Sequence, residues 1–303
     1  MKILITGSTG FIGKKIVEGL LNHGHLVTSI IRKENKKKLF ESSLNHSSIV
    51  CSISRFSPSL ADAISEADII IHCAGSVRGR GPDDFQTANI DAIQNFINLA
   101  KNYAKKPRFI LISSMAAREP NLSYYSFSKW KGEQVLHSSF FNWVIMRPTA
   151  VYGPGDKALT PLLKMISMGI CLNIFRSFQN LSILHVDDLA LDIVEVVQNF
   201  EKYQFKTLEI HDGKDNGYKW SEIIKVLRGK KRLVIVPIPT KLLKSIAIIN
   251  CCLSAIVGYK PMLTLGKVKE LHHPDWRCDN SLKYLETRLK NRITLNCNAS
   301  GLQ

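Results

Sequence analysis

Residues 2–13, KILITGSTGFIG, constrain the fold more than any other stretch of the 303-residue chain. Ile3, Leu4 and Ile5 form a short apolar run, the pattern of a strand buried on both faces. Gly7, Gly10 and Gly13 follow at three-residue spacing, and Ile12, Ile16, Val17, Leu20 and Leu21 then recur with helical period. A strand, a glycine turn and a helix in that order let backbone N–H groups approach a pyrophosphate at the positive end of the helix. The spacing is GxxGxxG rather than the usual GxGxxG. A glycine triplet alone also marks a tight turn without a ligand. The strand before it and the periodic helix after it favour dinucleotide binding.

Further apolar runs follow at a regular pace. Residues 26–31, 49–53, 68–73 (DIIIHC) and 108–113 (RFILIS) read as strands two to five, and residues 83–105 as a long helix carrying Asn89. Strands alternating with helices predict a parallel, doubly wound α/β sheet. Ligands of such sheets bind beyond the carboxyl ends of the strands, where Gly7, Arg32, Ala74 and Ser114 fall. An acidic residue normally ends the second strand and bonds the adenosine ribose of NAD. Here Ile31 and Arg32 stand there, followed by Lys33, Lys36, Lys37 and Lys38. A guanidinium suits a ribose 2′-phosphate, so NADP(H) is the expected cofactor and NAD(H) the alternative. The competing reading of the same residues is a solvated basic loop.

Tyr125 and Lys129 are four apart on an expected helix and share a face. An ammonium beside a phenol favours the phenolate and lowers its pKa, which makes tyrosine a useful proton donor or acceptor for a carbinol oxygen. Ser114, at a strand end, is placed to hold the same oxygen. Tyr-x-x-x-Lys by itself is common; after a dinucleotide turn and a strand-end serine it becomes specific.

These motifs together resemble the extended short-chain dehydrogenases/reductases, the NAD-dependent epimerase/dehydratase family. The resemblance rests on TGSTGFIG (residues 6–13), IHCAG (71–75), Asn89, ISS (112–114), YSFSK (125–129), RPTAVYGPG (147–155) and HVDDLA (185–190), in that order. It implies a Rossmann-type sheet with a smaller C-terminal substrate lobe. It also implies Tyr125 as catalytic acid/base, Lys129 as the residue that binds the nicotinamide ribose and tunes Tyr125, and Ser114 as the holder of the substrate oxygen. Asn89 would be a structural or proton-relay residue. Cofactor contacts are expected from Gly7, Thr9, Gly10, Phe11, Ile12, Gly13, Arg32, Cys73, Ala74, Gly75 and Pro148, besides Tyr125 and Lys129. The nucleotide-binding domain would comprise residues 1–152 and 181–212, the substrate lobe residues 153–180 and 213–290, with 291–303 a frayed tail. Within these, residues 156–168 read as a lobe helix, residues 207–210 as a strand returning to the main sheet, and HVDDLA as a helix start capped by Asp187 or Asp188.

Composition narrows the setting. The net charge of +16 favours an anionic partner, but no nucleic-acid motif and no metal-ligand spacing is evident. Seven scattered cysteines without CxxC read as reduced thiols, and a strand starting at Lys2 leaves no room for a signal peptide, so the expected location is the cytoplasm. Residues 240–260 are nearly all apolar in their centre. They read either as a lobe helix covering a greasy pocket or as a helix on the inner face of a membrane, aided by Lys241, Lys244 and Lys260. A homodimer is compatible with all of this.

The chain departs from the family pattern at several positions. Ser52 replaces an acid that contacts adenine, Met115 and Ala116 replace the Asp-Glu pair of the nucleotide-sugar dehydratases, Ala150 replaces an asparagine, and Leu181 stands where an arginine often holds a sugar diphosphate. An apolar side chain makes no charge-assisted bond to a diphosphate. The expected activity is therefore hydride transfer to or from a lipophilic ketone or secondary alcohol, such as a keto-sphingoid, sterol-like or flavonoid-like compound. A nucleotide-sugar epimerase, with Arg176 and Arg277 holding the diphosphate, and a non-catalytic cofactor-binding subunit are the alternatives.

Overall fold

The computed structural model describes residues 1–35, 43–53, 57–101, 103–174, 179–214, 216–228 and 232–278. Lys36, Lys37, Lys38, Arg176, the last stretch of the expected lobe and the expected tail lie outside the described residues.

β1 (Lys2–Thr6) leads through the glycine turn into α1 (Phe11–Asn22) and returns as β2 (Leu26–Ile31). β3 (His46–Val50), α2 (Pro58–Glu66) and β4 (Ile69–His72) follow. Next comes α3 (Asp83–Gln86), which continues through a π-helical turn (Thr87–Asp91) into α4 (Ala92–Ala100). β5 (Arg108–Ile112), α5 (Tyr124–His137), β6 (Trp143–Pro148) and β7 (Ala150–Tyr152) come next. The chain continues as α6 (Thr160–Ser167), β8 (Ile170–Asn173), β9 (Asn180–Leu181), β10 (Ile183–His185), α7 (Val186–Gln198), α8 (Phe200–Tyr203) and β11 (Lys206–Ile210). Last are β12 (Tyr218–Lys219), α9 (Trp220–Arg228), β13 (Val234–Pro237), α10 (Thr240–Val257), α11 (Leu265–Leu271) and β14 (Asp275–Trp276).

Seven strands form one sheet in the order β11-β6-β5-β4-β1-β2-β3, and every pairing in it is parallel. The chain steps outward from β1 to β3, then returns to lay β4 beside β1 and steps the other way. That reversal opens a crevice above the carboxyl ends of β1 and β4, where doubly wound sheets bind their ligands. The centre of the sheet, β1, β4 and β5, is buried on both faces, as its apolar runs require, while the edge strand β3 is only partly covered. Ile3 and Ile5 pack with Ile16, Val17 and Leu20 of α1 and with Leu189, Ile193 and Val197 of α7. Leu4, pointing the other way, packs with Leu60, Ile64, Ile93 and Phe96 of α2 and α4. A separate cluster around Tyr152, Leu163, Ile183, Trp220 and Ile223 lies beyond the sheet, and a fourth joins Leu243 and Ala247 of α10 to Val268 of α11.

Several boundaries differ from the sequence reading. The third strand is His46–Val50 rather than 49–53, because its pairing with β2 sets its register, Val27 facing His46 and Ile31 facing Val50. The long helix ends at Ala100 and is broken at Asn89 by the π-helical turn. The lobe helix begins at Thr160, not 156; the Asp156 carboxylate instead accepts the N–H groups of Ala158, Leu159 and Thr160 ahead of it. α7 starts where HVDDLA predicts, but its cap is His185, whose Nδ1 accepts from the Asp187 N–H at 3.3 Å. Asp187 reaches Lys15 at 3.3 Å and Asp188 is buried, so neither carboxylate is the cap.

Candidate active site

The crevice is a cleft of about 2020 Å³ between the carboxyl ends of the strands and the elements beyond the sheet. Gly7, Thr9, Gly10, Phe11, Ile12, Gly13, Arg32, Cys73, Gly75, Ser114, Tyr125, Lys129 and Pro148 all line it; Ala74 and Asn89 stand behind the wall. Ser52 is exposed after β3 and is not part of it.

The glycine turn has the shape of a cofactor cradle. Gly7 sits at φ +75°, a conformation L side chains rarely adopt. A Cβ there would lie 2.6 Å from the Ala74 nitrogen. Gly10 donates its N–H to the Gly7 carbonyl at 2.9 Å. No side chain caps α1, so the amides of its first turn face the cleft, as a pyrophosphate requires. Arg32, exposed directly after β2, lines the same wall. These groups fit a dinucleotide.

A buried relay braces the cradle from below, and the sequence reading missed it. His72 Nε2 lies 3.1 Å from the Ala88 carbonyl, which can only accept, so Nε2 carries the proton. Nδ1 must then accept, and does so from the Thr6 hydroxyl at 2.9 Å. Thr6 Oγ1 in turn accepts the Ala74 N–H at 3.1 Å. The relay works only with a neutral imidazole, and burial pushes the His72 pKa down to about 4. Burial also lifts the Cys73 thiol to about 12, so it stays protonated.

α5 carries the candidate catalytic residues. Its cap is Ser123, whose Oγ accepts from the Ser126 N–H at 2.9 Å. Tyr125 and Lys129 share a face as expected, but the electrostatics differ from the simple pair. Burial raises the Tyr125 pKa; a hydrogen bond from Ser114 opposes that first, then the charge of Lys267, while Glu270 raises it further. The ammonium of Lys129 instead donates to the Ile112 carbonyl at 2.8 Å. Its own pKa is pushed down to about 8 by burial, against the opposing charge of Glu133. Lys267 of α11, one of the charges that bear on Tyr125, is ion-paired to Glu270 at 2.8 Å. Glu270 also accepts from the Ser123 hydroxyl, so α11 is tied to the cap of α5. No local spacing signals this, because α11 is remote in sequence.

Asn89 is buried in the π-helical turn. Its amide donates to the Ser76 carbonyl at 3.0 Å and to Ser128 Oγ at 2.8 Å, and accepts from the Ser76 N–H at 2.9 Å. Ser128 Oγ donates to the Tyr125 carbonyl at 2.8 Å. The side chain is therefore engaged in holding the cleft loop and α5. Of the residues considered for a diphosphate, Ala150 and Leu181 line the cleft. Arg277 is clamped by Asp275 through bonds of 2.8 and 2.7 Å.

Fold and site together define a dinucleotide-binding protein of the doubly wound class with an extended substrate region. The chain belongs to the NAD dependent epimerase/dehydratase family, whose sequence profile matches residues 3–210. It is 30% identical over 279 residues to a ceramide reductase of Caulobacter vibrioides, covering 90% of this chain and 85% of that protein. It is 29% identical over 242 residues to a UDP-glucose 4-epimerase of Vibrio cholerae, covering 70% and 71%. Among solved structures, UDP-glucuronic acid 4-epimerase from Bacillus cereus in complex with NAD superposes with a TM-score of 0.65 at 21% identity, covering 90% of this chain and 97% of that one; this likeness is one of fold.

Proposed function

We propose that this chain is an NADP(H)-dependent oxidoreductase that interconverts a ketone and a secondary alcohol on a lipid-like substrate. The observation that carries the reading is the apolar part of the cleft lining, which includes Leu159, Leu162, Leu163, Leu181, Ile183 and Met262. Such a wall buries hydrocarbon at ~0.8 kcal/mol per CH₂, so an eight-carbon chain gains roughly 6 kcal/mol before ordering costs. The ceramide reductase relative supports the same substrate class. A nucleotide-sugar epimerase is the second reading, favoured by Lys157 and Lys269 in the cleft wall and by the UDP-glucose 4-epimerase relative.

In the reducing direction Tyr125 donates its phenolic proton to the ketone oxygen. The raised pKa keeps that proton in place at neutral pH. Ser114, which lines the cleft with Tyr125, holds the same oxygen by its hydroxyl. Lys129 holds the nicotinamide ribose, and Asn89 positions α5 through Ser128. When bound, the reduced cofactor supplies the hydride. The glycine turn holds its pyrophosphate and Arg32 its 2′-phosphate.

The test is consumption of NADPH with long-chain keto-amides, sterol-like ketones and flavonoid-like ketones, run beside an epimerisation assay on nucleotide hexoses. Tyr125→Phe should cost at least ~10²-fold in turnover with cofactor affinity nearly intact. Epimerisation without net cofactor use, with silence on every ketone, would overturn the proposal; so would near-normal turnover in Tyr125→Phe.

A further inference from the structure

We infer that α10 seats this protein on the surface of an anionic lipid bilayer, with the mouth of the cleft at that surface. The helix has two apolar faces. One, with Leu243, Ala247 and Ser254, is buried against α11 and its surroundings. The other is formed by Leu242, Ile246, Ile249, Leu253, Ile256 and Val257, a stripe at i, i+4, i+7 spacing about 100° wide. All six are exposed: Ile249 at 57%, Ile256 at 82% and Val257 at 72%. Exposed apolar faces of this extent on soluble proteins mark interaction sites. β13, two residues ahead of α10, adds Val234, Ile235 and Val236, also exposed.

Charge identifies the occupant. Lys241 is exposed in the turn that opens the stripe and on its flank, while Lys244 is exposed on the opposite side of the helix. Arg78 and Arg80 are exposed and line the cleft, in a loop whose Gly79 N–H donates to the carbonyl of Pro261, in the segment after α10, at 3.2 Å. An exposed apolar stripe with Lys241 at its start and Arg78 and Arg80 in the neighbouring loop, on a chain of net charge +16, matches an acyl layer beneath anionic headgroups. By length and composition α10 would also suffice to cross a bilayer. Crossing would strip its buried face from α11 and break the 2.9 Å bond from Asn250 to the Leu263 carbonyl, so the helix lies in the interface instead. Ile248, Cys251 and Cys252 of the same helix line the cleft. A lipid-like substrate thus meets the cleft at the bilayer; this last step rests on the proposed function, whereas the docking itself does not.

Sedimentation with vesicles of phosphatidylcholine alone, or mixed with phosphatidylglycerol, tests the inference without any substrate. The wild type should pellet with the mixed vesicles and release as salt is raised. Ile249→Glu with Leu253→Glu should lower that partition by at least ~10-fold, with NADPH affinity unchanged as the check on folding. Should that variant fold poorly, Lys241→Gln should lower binding to the mixed vesicles by roughly fivefold, and Lys244→Gln, on the opposite side of the helix, should lower it less. Wild-type protein that stays in solution with mixed vesicles overturns the inference. So does a dimer that Ile249→Glu with Leu253→Glu converts to monomers while vesicle binding is absent. Turnover of a detergent-dispersed ketone without vesicle binding sinks the docking alone; vesicle binding without turnover of any ketone sinks the reductase reading alone.

Discussion

Replacing Gly13 by alanine puts one methyl group into the most crowded point of the glycine turn. Its Cβ would lie 2.0 Å from the Gly7 carbonyl oxygen, 2.6 Å from the Gly7 carbonyl carbon and 2.9 Å from Ser8 Cα. Non-bonded carbon atoms settle at about 3.5 Å, so the overlap with the oxygen exceeds ~1 Å. Gly7 cannot retreat, because it is pressed against the Ala74 nitrogen and its carbonyl already accepts the Gly10 N–H. Either that bond breaks or α1 lifts from the turn. The overpacking costs ~1–3 kcal/mol of stability. The larger effect is on binding: a charge-assisted bond to phosphate is worth ~1.5–3 kcal/mol, so misplacing two of them weakens NADPH by about 10²- to 10⁴-fold. Calorimetric titration with NADPH measures the affinity and a thermal scan the stability. Gly24→Ala is the control: its φ of +75° makes alanine strained, but no atom lies within 4 Å of the added Cβ. It should lose ~1–2 kcal/mol of stability and leave NADPH affinity alone. A Gly13→Ala protein that binds NADPH within about threefold of wild type would refute the assignment of this turn as the phosphate cradle.

Arg32→Ala should weaken NADPH by roughly ten- to a hundredfold and leave NADH unchanged, the expected loss of one charge-assisted phosphate contact; equal wild-type affinity for the two cofactors, read by titration, would count against Arg32. The fully buried Glu133 carboxylate accepts from Arg147 at 2.9 and 2.6 Å and from the Ser113 hydroxyl. Arg147→Met strands that charge and should cost ~3–5 kcal/mol in urea unfolding, much of it recovered by adding Glu133→Gln; simple additivity of the two changes would disprove the coupling. Burial, with the charges of Asp187 and Asp212, raises the Asp188 carboxyl from 3.8 to about 6. The folded state then holds this proton more tightly than the unfolded chain, so the group's stabilisation is present below the ordinary carboxylate value and is lost as pH rises through about 6. Asp188→Asn should therefore raise the melting temperature at about pH 8 and give no gain at about pH 4; an equal gain at both would rule out titration as the cause.

The sheet and the glycine turn were legible in the sequence because both are written in short-range patterns. β1, β4 and β5 are apolar without interruption, which only two-sided burial explains, and the turn's glycines are three apart. The Tyr125–Lys129 spacing likewise placed both residues in the cleft on one helix face. The capping of α7 was not legible: the sequence offered Asp187 or Asp188, and only the fold decides that Asp187 turns to Lys15 and Asp188 inward, leaving His185 to accept the backbone N–H. The third strand slipped for a related reason, since the partner strand sets register and the apolar run does not.

By itself, the sequence determined the parallel sheet, the location of its ligand crevice and the family of the chain, because these follow from local periodicity and from residue types at fixed spacing. Tertiary structure decided the electrostatics of the site. Lys129 is anchored by one bond to the Ile112 carbonyl, while Lys267 and Glu270, from a distant helix, add opposing charges beside Tyr125. His72 is neutral because it is buried between Thr6 and Ala88. α10 was equally apolar in either reading of it; only its packing shows that one face is docked and the other is bare. Charge, desolvation and exposure depend on what the rest of the chain brings within a few ångströms, and no local pattern carries that information.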